Sequence, residues 1–519
     1  MVKIFIDDIG LQVKEGATVL NAAQQAGIFI PHLCYHPAFI PEGSCRLCLV
    51  EIEGMPKLEL ACATVVREGM KIATQNERVR SARQSVLEFL LAEHPLDCPI
   101  CDKAGECKLQ DYYDEYGLFE SAFRELKEKK EKKILIGRRL LLDRERCILC
   151  TRCVRFLAGI TKTRELGVFE RGIHSEIGTL EEALVDNNYS GNLAELCPVG
   201  AITDTDFRFK TRSWFLVKGE SICPLCSRGC NIYVEHHPGF PRLPETKKVY
   251  RIRARENLDV NDHWICDIGR YNTAYLEKNR CEKFVMNKEE GETILTWEKI
   301  LGALTEKIRT LHFMKKTSRI GLVLTSLLSN EELFLIKKLF LDDLKLEKVF
   351  FADPKPGTSD GFLLQAEHSP NRKGAIEIGF DLKEVRLEAL AHETDLLLIF
   401  GPFLTDTFRL TDLHLVLDQI GSKFLFTSHL SGLESVVDFV CPTALITEKS
   451  GSLTNTKGII QRFSAALDPR SESRPEWEML ASLAKELKIN FRYYQRFSNP
   501  EAVFQALQRE IPFFSETND

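Results

Sequence analysis

The chain has 519 residues, of which 44% are hydrophobic and 28% charged, and its formal net charge is −6. This length predicts three or four domains, each with its own core, and the near-neutral charge excludes the strongly basic surface typical of nucleic-acid binding. No apolar run reaches the roughly 18 residues that span a bilayer, and the first residues lack the features of a secretion signal. We therefore expect a cytoplasmic location.

The first residues predict a small α+β domain. Alternating apolar and polar residues over Lys3–Asp7 and Leu11–Val13 predict a hairpin. A helix over Thr18–Ala26 and a strand over Cys45–Ile52 are expected to follow. Apolar residues at helical spacing then predict an amphipathic helix over Asn76–Glu93.

The remainder of the chain predicts a charged linker and then an α/β region. The stretch 124–133 is rich in Lys and Arg interleaved with Glu, which predicts a solvated helical face or a linker. Beyond Cys281, apolar strands alternate with amphipathic helices, a pattern that predicts a parallel sheet covered by helices. The predicted strands are Ile320–Thr325, Lys348–Ala352, Asp395–Phe400 and Lys423–Thr427, and the predicted helices are Thr296–Thr310, Asn330–Asp342 and Thr411–Ile420.

The 17 cysteines are unevenly distributed. Fifteen lie between Cys34 and Cys266, and only Cys281 and Cys441 lie beyond them. Because cytosolic thiols stay reduced, cysteines at short spacings there usually bind metals or act in catalysis. We therefore expect metal chemistry in the N-terminal half and assign no catalytic role to Cys281 and Cys441.

The first group of cysteines has the spacing C-x10-C-x2-C-x13-C. Soft thiolate ligands stabilise ferric iron, and a loop that gathers three of them with a fourth from a neighbouring segment suits a two-iron cluster. Structural zinc is the alternative, but zinc sites usually have two C-x2-C pairs. The predicted ligands are Cys34, Cys45, Cys48 and Cys62.

The second group has three cysteines and a histidine in the pattern H-x3-C-x2-C-x5-C. Three cysteines are one ligand short of a four-iron cluster, and His94 lies directly upstream of them at the end of a predicted helix. A neutral imidazole makes a cluster less negative than a fourth thiolate does, which raises its reduction potential. The predicted ligands are His94, Cys98, Cys101 and Cys107.

The third group has the spacing C-x2-C-x2-C-x43-C-P. Bacterial ferredoxins with two clusters place their Cys-Pro ligand three residues after the triplet, but here that position is Leu157. The pattern therefore predicts one four-iron cluster that a distant Cys-Pro completes. Its predicted ligands are Cys147, Cys150, Cys153 and Cys197.

The fourth group has the spacing C-x2-C-x3-C and needs one more ligand from further along the chain. The softness of a thiolate favours Cys266, while Cys281, His236, His237 and His263 remain alternatives. The predicted four-iron ligands are Cys223, Cys226, Cys230 and Cys266.

The sequence contains no nucleotide-binding glycine motif and no zinc-protease histidine pair. With four predicted clusters and no other reaction centre, the chain is expected to take up and pass on single electrons. Its donors and acceptors must then lie on partner proteins.

Six segments around these groups have a distinctive sequence: 30–36, 43–48, 94–102, 105–111, 146–156 and 197–201. Together they resemble the large iron–sulfur subunit of bacterial respiratory complex I, the NADH:quinone oxidoreductase, and the His-Pro-Leu-Asp-Cys-Pro segment is highly specific. Segment 264–270 resembles the closing segment of an extra four-iron site in some bacterial members, which favours Cys266. Segments 447–458 and 474–478 resemble a molybdopterin-oxidoreductase domain, here in a shortened form.

The resemblance implies a multidomain protein of α+β and α/β classes. It implies a β-grasp ferredoxin-like domain over 1–78, a His/Cys3 cluster domain over 79–123 and a four-iron ferredoxin-like domain over 124–212. A fourth cluster domain over 213–272 and a shortened molybdopterin-oxidoreductase-like α/β domain over 273–519 would follow. The implied cofactors are one 2Fe–2S cluster and three 4Fe–4S clusters, with neither molybdopterin nor flavin on this chain.

The resemblance also implies an electron-relay role in complex I. The expected partners are the flavin- and NADH-binding subunit and other peripheral-arm subunits, with the membrane arm reached indirectly. The expected location is the cytoplasmic face of the inner membrane, and no nucleic acid is expected to bind.

Three alternatives remain open. A diaphorase-type subunit of an NAD-reducing hydrogenase carries a nearly identical cluster pattern, and the long C-terminal region favours complex I over it. A formate dehydrogenase carries similar clusters but needs a later metal-binding residue and a full pterin domain. A non-redox scaffold would instead bind zinc at these cysteines.

Overall fold

The computed structural model describes residues 1–121, 123–180, 183–240, 248–288 and 291–515. The chain forms two compact units, residues 1–216 and residues 217–519. Within the described residues, no helix combines the length and the apolar character that crossing a membrane requires.

The first unit contains ten strands and five helices within the described residues. Its strands are β1 Val2–Ile6, β2 Ile9–Val13, β3 Leu49–Ile52, β4 Glu59–Leu60, β5 Lys71–Ala73, β6 Ile134–Gly137, β7 Leu140–Leu142, β8 Gly167–Phe169, β9 Glu176–Gly178 and β10 Ile202–Asp204. Its helices are α1 Val19–Gln25, α2 Glu77–Glu93, α3 Lys108–Tyr116, α4 Arg152–Gly159 and α5 Asn192–Leu196.

The N-terminal part of this unit is a five-stranded sheet in the order β2-β1-β5-β3-β4, with α1 packed in its core. The predicted hairpin is confirmed, because β1 pairs antiparallel with β2. The predicted strand over Cys45–Ile52 begins only at Leu49. Residues 45–48 form a loop in which Arg46 has a positive φ of 58°, since the backbone there wraps around the thiols.

The helix predicted over Asn76–Glu93 is confirmed as α2. Asn76 caps it by accepting a hydrogen bond from the backbone N–H of Val79 at 2.9 Å. The helix ends at His94, which is extended and precedes Pro95, because a residue before proline avoids the helical region.

The basic stretch 124–133 forms no helix, which leaves the linker as the remaining alternative of the prediction. Instead, two of its lysines contact neighbouring segments. Lys127 donates to the carbonyls of Leu91 and Ala92 at the end of α2, and Lys132 pairs with the Asp97 carboxylate at 3.2 Å.

The second unit contains twelve strands and ten helices within the described residues. The strands are β11 Val217–Ile222, β12 Asn231–His237, β13 Lys248–Ala254, β14 Val285–Lys288, β15 Gly291–Ile294, β16 Ile320–Leu324, β17 Lys348–Phe351, β18 Leu396–Phe400, β19 Ser422–Thr427, β20 Phe439–Pro442, β21 Gly451–Thr454 and β22 Ile460–Phe463. The helices are α6 Asp267–Tyr271, α7 Trp297–Phe313, α8 Asn330–Ile336, α9 Arg372–Ile378, α10 Leu387–Ala391, α11 Leu404–Thr407, α12 Leu410–Leu417, α13 Glu476–Leu487, α14 Phe491–Tyr494 and α15 Pro500–Glu510.

The largest sheet of this unit has the order β15-β14-β20-β19-β18-β16-β17. The four predicted strands are confirmed as β16 to β19, and with β20 they form a parallel block. The edge strand β15 and its neighbour β14 pair antiparallel, and β14, β15 and β20 were not predicted. Alternate side chains of β18 enter different cores, Leu396 and Leu398 on one face and Leu397 and Ile399 on the other, so helices cover both faces.

The three predicted helices are also confirmed, with shifted ends. The helix predicted over 296–310 is α7, Trp297–Phe313, and the helix predicted over 411–420 is α12, Leu410–Leu417. The helix over 330–342 begins at a capping box between Ser329 and Glu332 as α8 and continues as a π-helix from Lys337 to Asp343. The architecture is therefore the predicted combination of small α+β cluster domains and a larger α/β domain.

Candidate metal-cluster sites

The first group lies in the five-stranded domain, where all four thiols are buried. The thiols form two pairs: Cys34 shares a hydrogen bond with Cys45, and Cys48 shares one with Cys62. Each shared hydrogen bond lowers the pKa of one partner, Cys34 to about 5, and raises that of the other. The backbone N–H of Cys34 also donates to the Cys45 sulfur at 3.4 Å.

This two-by-two arrangement fits a two-iron cluster. Each iron of such a cluster takes two thiolates, so the four sulfurs are expected in two close pairs. Gly43, in the same loop, has a positive φ of 71°, and a β-carbon there would overlap the Leu60 side chain. The loop therefore depends on glycine at this position.

The second group is assembled between α2 and α3. Cys98 begins a short 3-10 turn, and Cys107 lies at the N-terminus of α3. The thiols are near enough to interact electrostatically, Cys101 with Cys98 and Cys107 with Cys101. The structure therefore brings the three cysteines together, although Cys98 is exposed.

His94 is partly buried at the end of α2, and its buried Nδ1 has no hydrogen-bond partner among the described residues. Burial lowers its pKa to about 4, so the ring is neutral at pH 7 and retains a lone pair. A buried neutral imidazole without a hydrogen bond on one nitrogen suits a metal ligand. No contact between His94 and the three cysteines is resolved, and its ligation stays a prediction.

The third group surrounds a small cavity. Cys147, Cys150, Cys153 and Cys197 all line it. Cys153 lies on α4 and Cys197 directly follows α5. The Leu149 N–H donates to the Cys147 sulfur at 3.4 Å. Burial raises the pKa of Cys147 and Cys150 to about 12, so four thiolates could persist here only with compensating cations such as iron.

The fourth group lies in the second unit and lines a cavity of about 140 Å³. Cys223, Cys226, Cys230 and Cys266 all face this cavity. The Gly269 N–H donates to the Cys266 sulfur at 3.3 Å. A β-carbon at Gly269 would lie 3.3 Å from the Cys223 sulfur, tighter than an ordinary contact.

The alternative ligands of the fourth group lie elsewhere. Cys281 is buried in the core beside Val323 and Val440, and none of His236, His237 and His263 is among the described residues that line this cavity. A different histidine, His368, does line it. Sequence reasoning missed His368, because it comes from a loop about 100 residues beyond Cys266 and belongs to no cysteine motif.

Within the described residues, no three Cys, His, Asp or Glu side chains converge on a point where a single metal ion could bind. Thiols that line a common cavity suit a polynuclear cluster, whose several iron atoms each take their own ligands.

The second and third groups approach each other closely. A β-carbon at Gly200, three residues after Cys197, would overlap the sulfur of Cys101. Arg146, next to Cys147, forms a bidentate pair with Asp97, next to Cys98, at 2.6 and 3.1 Å. Sequence reasoning did not identify these contacts, although both charged residues lie within the distinctive segments.

A separate cavity of about 360 Å³ lies at the carboxyl ends of the parallel strands. Lys449 lines it, and its ammonium is held by Glu332 at 2.8 Å and Glu476 at 2.6 Å. Burial opposes this charge, but the two carboxylates outweigh it and raise the pKa of Lys449. The described lining contains no other Lys or Arg, so these residues do not fit a phosphate-bearing pterin cofactor.

Four family descriptions match parts of the chain. Residues 1–77 match the 2Fe-2S iron-sulfur cluster binding domain, and residues 83–122 match the NADH-ubiquinone oxidoreductase-G iron-sulfur binding region. Residues 137–203 match the ferredoxin-like domain of NADH-quinone oxidoreductase subunit 3. Residues 422–486 match molybdopterin oxidoreductase.

Several curated proteins are similar over most of the chain. The NADH-ubiquinone oxidoreductase 75 kDa subunit of Reclinomonas americana is 38% identical over 356 residues, which cover 69% of this chain and 50% of that protein. The G subunit of the NADH-quinone oxidoreductase of Rickettsia felis is 38% identical over 65% of this chain and 49% of its own. The chain thus spans about half the length of the curated relatives it matches.

One solved structure is also similar in sequence. A chain of an NAD+-reducing NiFe-hydrogenase in the H2-reduced state is 33% identical and covers 41% of this chain and 91% of its own, with a TM-score of 0.38.

Proposed function

We propose that this chain, a homologue of the G subunit of NADH-quinone oxidoreductase, is an electron-relay subunit of an NADH:quinone oxidoreductase. The observation that carries the proposal is the arrangement of the first unit, in which three cysteine groups are packed together. Gly200 of the third group lies against Cys101 of the second. Arg155, beside the third group, donates to the Cys34 carbonyl of the first group at 2.5 Å.

We assign the ligands as the motifs predict. The 2Fe–2S cluster is held by Cys34, Cys45, Cys48 and Cys62. Three 4Fe–4S clusters are held by three further sets of four residues: His94, Cys98, Cys101 and Cys107; Cys147, Cys150, Cys153 and Cys197; and Cys223, Cys226, Cys230 and Cys266. Clusters of these types accept and release single electrons when bound. The matches to iron–sulfur domain families and the pairing of the first four thiols support these assignments.

The chain's own residues contribute burial, position and hydrogen bonds. Most of the cysteines are buried, which keeps water from the sulfurs. Backbone N–H groups donate to Cys45, Cys147 and Cys266 sulfurs at 3.3 to 3.4 Å, and such bonds stabilise negative charge on a cluster. Exposed Cys98 is expected to mark the face of the second group that a partner covers.

The second unit has a structural role in this proposal. Its molybdopterin-oxidoreductase-like region supports the fourth group on one side of a folded α/β domain, and the paired state of Lys449 argues against a bound pterin. We expect no catalytic residue on this chain. The flavin and NADH sites are expected on a partner subunit, and quinone reduction on another, with the assembly attached to the cytoplasmic face of the inner membrane.

Iron and acid-labile sulfide analysis of the anaerobically purified full chain tests the cluster assignment. We expect about 14 iron atoms per chain with a similar number of sulfides. A few zinc atoms without sulfide would instead support the scaffold alternative.

Co-purification from the native membrane tests the assembly. A flavin-bearing subunit together with membrane subunits supports the complex I assignment. Recovery with a nickel–iron hydrogenase subunit would contradict it and support the diaphorase alternative.

A further inference from the structure

Arg152, the first residue of α4, lies between the first and third groups. Its side chain is buried, with 6% exposed. One guanidinium nitrogen donates to the carbonyl of Tyr35, which follows Cys34, and the other donates to the carbonyl of Leu196 at 3.3 Å, which precedes Cys197. Arg152 therefore contacts a residue next to one ligand of each group.

The acidic groups around Arg152 are thiols from these same two groups. Cys150 and Cys197 attract its charge from the third group, and Cys34 and Cys45 attract it from the first. Among the described residues, no carboxylate forms an ion pair with Arg152. Its Nε is buried without a hydrogen-bond partner among the described residues.

The other polar groups nearby do not offset this charge. The ammonium of Lys108 is itself a cation repelled by Arg152, and burial lowers the pKa of His32 to about 4, which keeps that ring neutral. A guanidinium stays protonated in proteins. The side chain thus places a positive charge, which has no carboxylate partner among the described residues, between two thiol groups.

We propose that Arg152 is a positioning residue whose charge is shared by the first and third cluster sites and favours electron uptake at both. The inference rests on the proposed function, because it concerns clusters bound at these cysteines. Uptake of an electron adds one negative charge at either site. A nearby buried cation stabilises that charge more strongly than it would in water, because the local dielectric is low.

Arg155, one turn later on α4, provides an internal contrast. It also joins the two groups, since it donates to the carbonyls of Cys34 at 2.5 Å and Cys150 at 3.0 Å. Its charge, however, is paired with Glu42 at 3.4 Å. Arg155 therefore supplies the same kind of bridge with a compensated charge.

The test is an EPR-monitored redox titration of the full chain with its clusters bound. In R152Q, we expect the reduced-to-oxidised ratio at a fixed potential to fall about tenfold at both the first and third sites, which corresponds to about 59 mV for a one-electron couple. R152K keeps the charge and should leave both potentials near those of the wild type. R155Q should shift the third site less than R152Q does, and R138Q, which removes an exposed arginine paired with Asp186, should shift neither.

An unchanged potential at either site in R152Q, or an equal shift in R138Q, would overturn the inference. If R152Q loses a cluster, the reduction potentials of R152K are the test. Potentials near those of the wild type support a role for the charge. Lower potentials at both the first and third sites would assign the effect to the lost hydrogen bonds instead. The iron and sulfide content of the wild type separates failure of the proposed function from failure of the inference about Arg152. A wild-type chain without clusters refutes the proposed function, whereas bound clusters with unchanged R152Q potentials refute only the role of Arg152.

Discussion

The cysteine groups of the two units have different surroundings. In the first unit, three groups share neighbours: Gly200 lies against Cys101, and Arg152 and Arg155 join the loops of Cys34 and Cys150. In the second unit, one group faces a cavity beside a large α/β domain. A relay requires redox sites that are close together, so under the proposed function the contacts among its three groups make the first unit a candidate electron path.

The largest expected effect comes from filling the space between the second and third groups. In G200A, the new β-carbon overlaps the Cys101 sulfur, and we expect loss of the second cluster, about four iron atoms per chain. G159A is the matched control, because a β-carbon at Gly159 meets nothing within 4 Å. Iron analysis and the EPR spectrum measure both variants, and a full iron content in G200A would contradict the close packing.

The next variant tests the cluster site of the second unit separately from those of the first. Cys226 lines the cavity of the fourth group, so C226S is expected to remove about four iron atoms per chain. The EPR signals of the first-unit clusters should persist unchanged. Loss of those signals would show that the two units do not hold their clusters independently.

A smaller effect is expected at the unusual ligand of the second group. In H94C, a thiolate replaces a neutral imidazole and makes the cluster more negative, so its reduction potential should fall. The other potentials serve as internal controls in the same redox titration. An unchanged spectrum and potential would argue against ligation by His94.

The smallest effect concerns the pH dependence of the second unit. Burial raises the pKa of Glu331 to about 7, above its value in the unfolded chain, so the folded state holds this proton more tightly. Protonated Glu331 therefore adds to the free energy of unfolding. This contribution is fully present below the pKa that Glu331 has in the unfolded chain, and it is lost as the pH rises through the folded-state pKa of about 7. The loss is on the order of 3 kcal/mol.

E331Q is expected to reduce this loss, because the amide is neutral at every pH. Urea unfolding of the wild type and of E331Q at pH 5 and pH 8 measures it. E298Q is a suitable control, since Glu298 is an exposed residue in the first turn of α7. An equal pH dependence in E331Q and the wild type would contradict the role of Glu331.

Local patterns were sufficient to predict several elements. The β1–β2 hairpin, α2 and the strands β16 to β19 follow from alternation and helical spacing, which depend only on neighbouring residues. Strand β15 was missed because it is an edge strand whose four residues are all exposed, and β14 beside it is only four residues long. The strand predicted from Cys45 begins at Leu49, because the thiols of Cys45 and Cys48 require an irregular loop.

In the candidate sites, too, local features were predictable and long-range contacts were not. Cysteine spacing was sufficient to predict which thiols line the cavities of the third and fourth groups, since three cysteines of each group are close in sequence. The contacts between groups could not be predicted. Gly200 lies about 100 residues from Cys101, and Arg152 more than 100 from Tyr35, so only the folded chain brings these pairs together.

The most direct test of the relay is rapid-freeze EPR after mixing the oxidised full chain with less than one equivalent of a one-electron reductant. We predict that at the earliest time point the electrons are already at equilibrium over the first, second and third clusters, with occupancies that change about tenfold for every 59 mV difference in measured potential. The account would be contradicted if one of these clusters stayed reduced while a neighbour of higher potential in the same unit stayed oxidised.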